Sequence, residues 1–173
     1  MITVDRLDVR LLEVLTRDGR AGVGEIASEL GIARNTVQSR LRRLEEAGVM
    51  TGFRPALDLA QAGITTQAFI GLEVQQGRLA RIVAALARIP YVLEVHATTG
   101  REDLLIRVAT VSQADLQDLI ERIVAIDGVV HSTTTLALTT PLAYRAMPLL
   151  NEITRGAGWG RSTPSINADG QHV

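Results

Sequence analysis

The segment Arg34 to Arg43, RNTVQSRLRR, carries four arginines, an asparagine, a threonine, a glutamine and a serine, and no acid. These are side chains suited to reading and gripping a nucleic-acid duplex. Asparagine and glutamine can pair bidentately with adenine's major-groove edge, and arginine with guanine. Guanidiniums and hydroxyls beside them can hold backbone phosphates. At about 100° per residue, a helix places Asn35, Ser39, Arg42 and Glu46 on one side, with Gln38 and Arg43 at its edges. Val37, Leu41 and Leu44 then share the opposite side. The expected division is base reading by Asn35, Gln38 and Arg42, with Ser39 able to reach a base or a phosphate and Arg34, Arg40 and Arg43 on the flanks toward phosphates. Thr36 completes the DNA-contacting set on the helix, Arg54 is a further contact beyond it, and Arg20 is another phosphate candidate. A merely solvated amphipathic helix would look the same in isolation, so the neighbouring elements decide.

Asp5 is placed to cap a first helix in which Leu7, Leu11, Leu12 and Leu15 follow helical spacing, ending near Asp18-Gly19. A second, short helix is expected over Val23 to Leu30, with Val23, Ile26, Ala27 and Leu30 on one face. Gly31 follows where a tight turn wants a positive φ, and a third helix runs roughly from Ala33 to Ala47. Ala27 is small where two helices must approach closely. Helix, glycine turn, helix is the helix-turn-helix arrangement. Neither Gly22 nor Ala33 is among the strongest N-caps, and a lost Ser/Thr cap costs about 1 kcal/mol. GVMTGFRPALDL then reads as two short strands about a Gly52/Pro55 turn, a small wing that would carry Arg54.

From Thr65 the periodicity changes. Gln67 to Val74, Tyr91 to Thr98, Leu104 to Thr110 and Val129 to Thr139 read as strands. Leu79, Ile82, Val83 and Leu86 mark a helix closed before Pro90; Leu116, Leu119, Ile120 and Ile123 mark another, with Ser112 and Asp115 at capping-box spacing. A weak internal repeat aligns Leu79, Ile82, Leu86, Ile89 and Val92 with Leu116, Leu119, Ile123, Ile126 and Val129. Two strand–helix–strand units in series give βαββαβ, a four-stranded antiparallel sheet with both helices on one face. Ile70, Leu72, Val74, Val92, Val95 and Ile106 are too many to point only at those helices, so the other face is expected to be apolar and to dimerise. The fold class is therefore α+β: a winged helix-turn-helix domain over 1–62, a ferredoxin-like βαββαβ domain over 63–140, and an extension over 141–173, flexible after 155. Trp159 receives no role.

Composition narrows the function classes. The net charge is −1 and every basic residue besides histidine is arginine, so only local charge is informative. With no cysteine, disulfides and thiolate metal sites are excluded. No Ser–His–acid arrangement, GxGxxG, phosphate loop or metal-ligand spacing stands out, so catalytic residues, metals and cofactors are expected to be absent. His96 and His131 fall in strands, and the hydroxyl run Ser132 to Thr135 reads first as strand. Without an apolar run of membrane-spanning length or a signal-peptide core, a cytoplasmic location and no membrane partner are expected.

With these residues in place, the chain resembles the Lrp/AsnC feast/famine transcription regulators over roughly residues 4 to 140. The resemblance is carried by VDRLDVRLLEVLTRDGR, by EIASELGIARNTVQSRLRRLEEAGVMTGFRPALD, by TTGREDLLIRV and by the Thr-rich last strand. It implies a DNA-binding regulator whose second domain (of the RAM/ACT-like kind) dimerises, with dimers that assemble further into octamers in many members. It also implies a small-molecule effector, an amino acid or related metabolite. By resemblance the effector contacts are Thr99, Gly100, Arg101, Glu102 and Asp103 at the turn between the middle strands, with Thr133 and Thr135 on the last strand. Here the turn departs from the commonest pattern, with Arg101 and Glu102 where many members hold an acid and then an aromatic. Asp103 could accept from an α-ammonium and Arg101 could pair with a carboxylate, as a zwitterion requires. The structural alternative is a turn that is charged because it is exposed. The alternative function is a tetrapyrrole (sirohaem-type) decarboxylase of similar architecture, a class that keeps a degenerate DNA-binding half.

Overall fold

The computed structural model describes residues 3–160 and divides into two compact units, Met1–Pro55 with Ala143–Val173, and Ala56–Leu142. The boundaries expected at 62 and 140 thus fall at 55 and 142, and the segment after 142 belongs with the helical unit.

In the first unit, α1 (Arg6–Arg17) is capped as its sequence predicts: Asp5 accepts from the Asp8 N–H and Asp8 accepts in return from Asp5, each at 3.0 Å. The helix ends at Asp18, but Gly19 does not take the left-handed conformation of a capping glycine. α2 (Val23–Leu30) starts at Gly22, whose N–H is taken by the Glu25 carboxylate at 2.7 Å. Gly31, at φ 63° and ψ 35°, closes it in the left-handed region. α3 (Arg34–Glu46) follows, and α6 (Met147–Thr154) completes the unit. Leu7, Leu11, Ile26, Leu30 and Val37 form the core, with Leu41 and Trp159 packed at its margin.

The expected wing is not formed: among the described residues, 48–59 contain no strand. Gly48 (φ 69°) turns the chain out of α3, and the Val49 and Met50 N–H groups are spent on the Leu44 carbonyl at 2.9 and 3.1 Å. Pro55 lacks a donor for a ladder and the intervening run is too short to pair without one.

The second unit is the expected βαββαβ: β1 (Thr66–Val74), α4 (Leu79–Leu86), β2 (Val92–Ala97), β3 (Leu104–Thr110), α5 (Gln113–Val124) and β4 (Val129–Ala137). The sheet order is β2-β3-β1-β4, antiparallel throughout, and the Ser112/Asp115 capping box forms. Ile82, Leu86, Leu116, Leu119 and Ile123 pack on Ala68, Ile70, Leu72, Leu104, Ile106 and Val108. One expectation is corrected here. All six of Ile70, Leu72, Val74, Val92, Val95 and Ile106 lie in or against this helix-side core. The period of two puts 70, 72 and 74 on one face, and an irregularity between Val92 and Glu94 brings Val92 and Val95 to it too. The open face is mixed instead: Phe69, Leu105 and Ala109 alternate with Gln67, Arg107, Glu94, His96, Thr133 and Thr135.

Candidate nucleic-acid interface and effector turn

α3 presents the stripe that its sequence predicts. Val37 and Leu44 are completely buried, while Arg34, Asn35, Gln38, Ser39 and Arg42 are exposed and Thr36 is half-buried. Asn35, Gln38, Ser39 and Arg42 therefore stand on the exposed side of a helix anchored by its apolar back. Arg34 lies along α2 with its guanidinium over Gly24, so it guards the turn as well as the flank. Arg54 is exposed, on irregular chain rather than on a wing.

The other flank differs from expectation. Asp8 is fully buried, and its carboxylate takes Arg40 at 2.9 Å through one oxygen and Arg43 through the other. Arg40 also bonds Asp5, and it donates to the Trp159 carbonyl at 3.4 Å. Its side chain is only 11% exposed, which removes it from the set of free phosphate contacts; Arg43 keeps 41% exposure and can still meet DNA. Burial works against the charge on Asp5, but the Arg40 hydrogen bond and the Asp8 backbone bond outweigh it, and its pKa falls below the usual value. Burial likewise opposes the Arg40 charge, and the bonds to Asp5 and Asp8 raise its pKa regardless. Two carboxylates, the α1 cap Asp5 and Asp8 in its first turn, thus tie α1 to α3. The D-x-x-D spacing at 5 and 8 was the available signal for Asp8, visible as a cap but not as an anchor.

The turn between β2 and β3 is tightly tied. Asp103 donates its N–H to the Leu72 carbonyl and accepts the Val74 N–H on its carboxylate, both at 2.8 Å. Thr98 Oγ1 donates to the Glu102 carbonyl at 2.5 Å, and Arg101 Nε donates to Glu73 at 3.2 Å. Gly100 sits at φ 134°, a conformation that favours glycine. Thr99 is exposed at the tip. Glu102 folds over the open face: a Cβ on Gly71 would lie 2.6 Å from its Cγ. Gly71 pairs across the sheet with Thr133, and Phe69 with Thr135. Glu102 therefore lies over Gly71, whose strand partner is Thr133, and Arg101 of the same turn bonds Glu73, two residues further along β1, whereas Asp103 is committed to backbone.

Comparison with known proteins agrees with both halves. Residues 4–45 match the AsnC-type helix-turn-helix domain, and residues 67–147 match the Lrp/AsnC ligand binding domain. The HTH-type transcriptional regulator FL11 of Pyrococcus horikoshii is 30% identical over 148 residues, spanning 86% of this chain and 98% of the relative. The solved structure of Escherichia coli AsnC superposes with a TM-score of 0.79 at 29% identity, covering 85% of this chain and all of that one. A Neisseria meningitidis transcriptional regulator, solved as a complex with L-Met, shares the fold with a TM-score of 0.77 at 23% identity, over 87% of this chain and 99% of that one. The helix-turn-helix, the βαββαβ unit and the near-complete coverage of these relatives make the chain a member of the Lrp/AsnC family of transcriptional regulators.

Proposed function

We propose that this regulator reads its operator through Asn35, Gln38, Ser39 and Arg42 of α3, with Arg34, Thr36, Arg43 and Arg54 on the DNA backbone. The observation that carries this reading is the exposed polar stripe opposite Val37 and Leu44. One such module binds modestly, so the chain acts as a homodimer or a higher oligomer that presents two modules about one DNA turn apart. The mixed open sheet face, where Phe69 and Leu105 stay 40% and 37% exposed in one chain, supports dimerisation there.

The effector is an amino acid or a related zwitterion, held at the open face beside Glu102 and Thr133, with Thr99, Gly100, Arg101, Asp103 and Thr135 around it. Arg101 must exchange Glu73 for the ligand's carboxylate, a modest cost for an exposed pair. The chain is not an enzyme in this reading, and it acts where the DNA is, in the cytoplasm. A fluorescent duplex from its own upstream region tests the proposal by anisotropy, titrated with dimer at several salt concentrations. Salt-sensitive binding is expected, shifted by at least one member of an amino-acid panel. Failure to bind at any salt or concentration would overturn the DNA reading. A shifted Soret band on adding sirohaem would favour the decarboxylase.

A further inference from the structure

The end of the described chain is packed against α1 and α3. Asn151 of α6 donates to Glu13 of α1 at 2.7 Å, and Thr154 is buried. The Arg6 N–H then reaches the Gly158 carbonyl at 3.4 Å, and the Arg6 guanidinium lies 5.0 Å from the centre of the Trp159 ring. Trp159 packs on the core of the helical unit, and its carbonyl takes an N–H of Arg40. Gly160 crosses the Asp5–Arg40 pair so closely that a Cβ would lie 2.4 Å from the Asp5 carboxylate and 2.5 Å from the Arg40 guanidinium. It also lines a groove with Asn35, Thr36, Ser39, Arg40 and Arg43, at the margin of the reading face.

We infer that the carboxy-terminal segment is part of the DNA-binding unit: Trp159 and Gly160 are positioning residues that brace the Asp5–Arg40–Asp8 cluster and so hold the recognition helix at its reading angle. The indole body covers the core beside the cluster while its carbonyl takes a guanidinium N–H. That lowers the freedom of Arg40, the side chain that couples α1 to α3. Bases are read by side chains whose placement must hold to a fraction of an ångström, so a helix free to roll about its axis loses discrimination before it loses its fold. Arg40 touches no base in this scheme; it acts through α3.

The inference rests on the DNA reading above, and the test separates the two. Full-length Trp159→Ala and Gly160→Ala are compared with wild type and with Val14→Ala, which weakens the same core without touching the Asp5–Arg40–Asp8 bonds. Each is titrated at 25 °C, below its melting transition, against the upstream duplex and a scrambled duplex of equal length. Trp159→Ala is expected to weaken upstream binding roughly five- to tenfold, the loss of one good base contact, with scrambled binding little changed. Gly160→Ala is expected to move the same way, and it keeps the test open if Trp159→Ala does not fold. Val14→Ala should melt earlier yet keep its preference. Upstream binding by both segment variants as tight as wild type, or tighter, would overturn the positioning role. A wild-type chain that binds neither duplex would instead sink the DNA reading itself.

Discussion

Arg42 and Arg43 are neighbours on α3, yet their replacement should have different consequences. Arg42 is exposed and stands on the reading face. Arg42→Ala should leave the unfolding midpoint within about 0.5 kcal/mol of wild type and cost about 1–3 kcal/mol of binding, with relaxed preference at one base position. Arg43 has a second task. The buried Asp8 carboxylate accepts from the Asp5 N–H, from Arg40 and from Arg43, and Arg43→Ala removes one of the three. A hydrogen bond to a charged group contributes about 1.5–3 kcal/mol. With the Arg43 side chain 41% exposed, solvent screening brings this to about 1–2 kcal/mol. The full cost of orphaning a buried charge, about 3–5 kcal/mol, is not reached because Arg40 remains. For a chain of this length the melting temperature should fall by about 2–8 °C. DNA binding should weaken on specific and scrambled duplexes alike, with a salt slope reduced by about one. Thermal unfolding by circular dichroism, paired with anisotropy at several salt concentrations, reads both quantities. Equal unfolding midpoints for the two variants, or a greater loss of stability in Arg42→Ala, would refute the assignment.

Other outcomes follow from local geometry. Gly31→Ala forces a side chain into the left-handed region at φ 63° and should destabilise the helical unit by about 1–2 kcal/mol, measured by urea unfolding. The Asp5 pKa is lower in the folded chain than its ordinary 3.8, so its contribution is complete above about pH 4 and fades as the pH drops through the lower folded value. Asp5→Asn should accordingly reduce stability at pH 6 and flatten the acid limb of a stability-against-pH curve. Asp103→Ala leaves the Val74 N–H without its carboxylate partner and should cost about 0.5–1.5 kcal/mol. That loss is read by differential scanning fluorimetry.

Elements whose identity depends on local spacing were legible in the residues alone. Val23–Leu30 and Leu104–Thr110 form over the residues expected, because apolar periodicity, a following Gly31 and an alternating strand pattern all act within a few positions. The exposed polar stripe was legible for the same reason: a wheel separates Asn35 and Ser39 from Val37 and Leu44 without knowledge of anything else. What the spacing could not give was the identity of distant partners. Arg40 and Arg43 sit on a helix flank, but only folding shows that this flank meets Asp5 and Asp8, more than thirty residues earlier in the chain. The wing failed because a short strand exists only if it pairs, and Gly48 and Pro55 commit the backbone otherwise. The open sheet face differs from expectation because Ile70, Leu72 and Val74 share one face at a period of two, and the irregularity beside Val92 turns Val92 and Val95 to that same face. Trp159 lies in a glycine-rich stretch with no apolar period, so its packing on the helical core is visible only in the folded chain.

The helical unit is assembled from two separate segments, with residues 56–142 inserted between them. A ribosome therefore delivers α1, α2 and α3 first, the whole sheet next, and α6 with Trp159 last. The nascent helix-turn-helix can fold early, but Asp5 and Arg40 gain their final cover only after residues 56–142 have been made. A chain cut short by degradation or a premature stop would keep its reading helix and lose that cover.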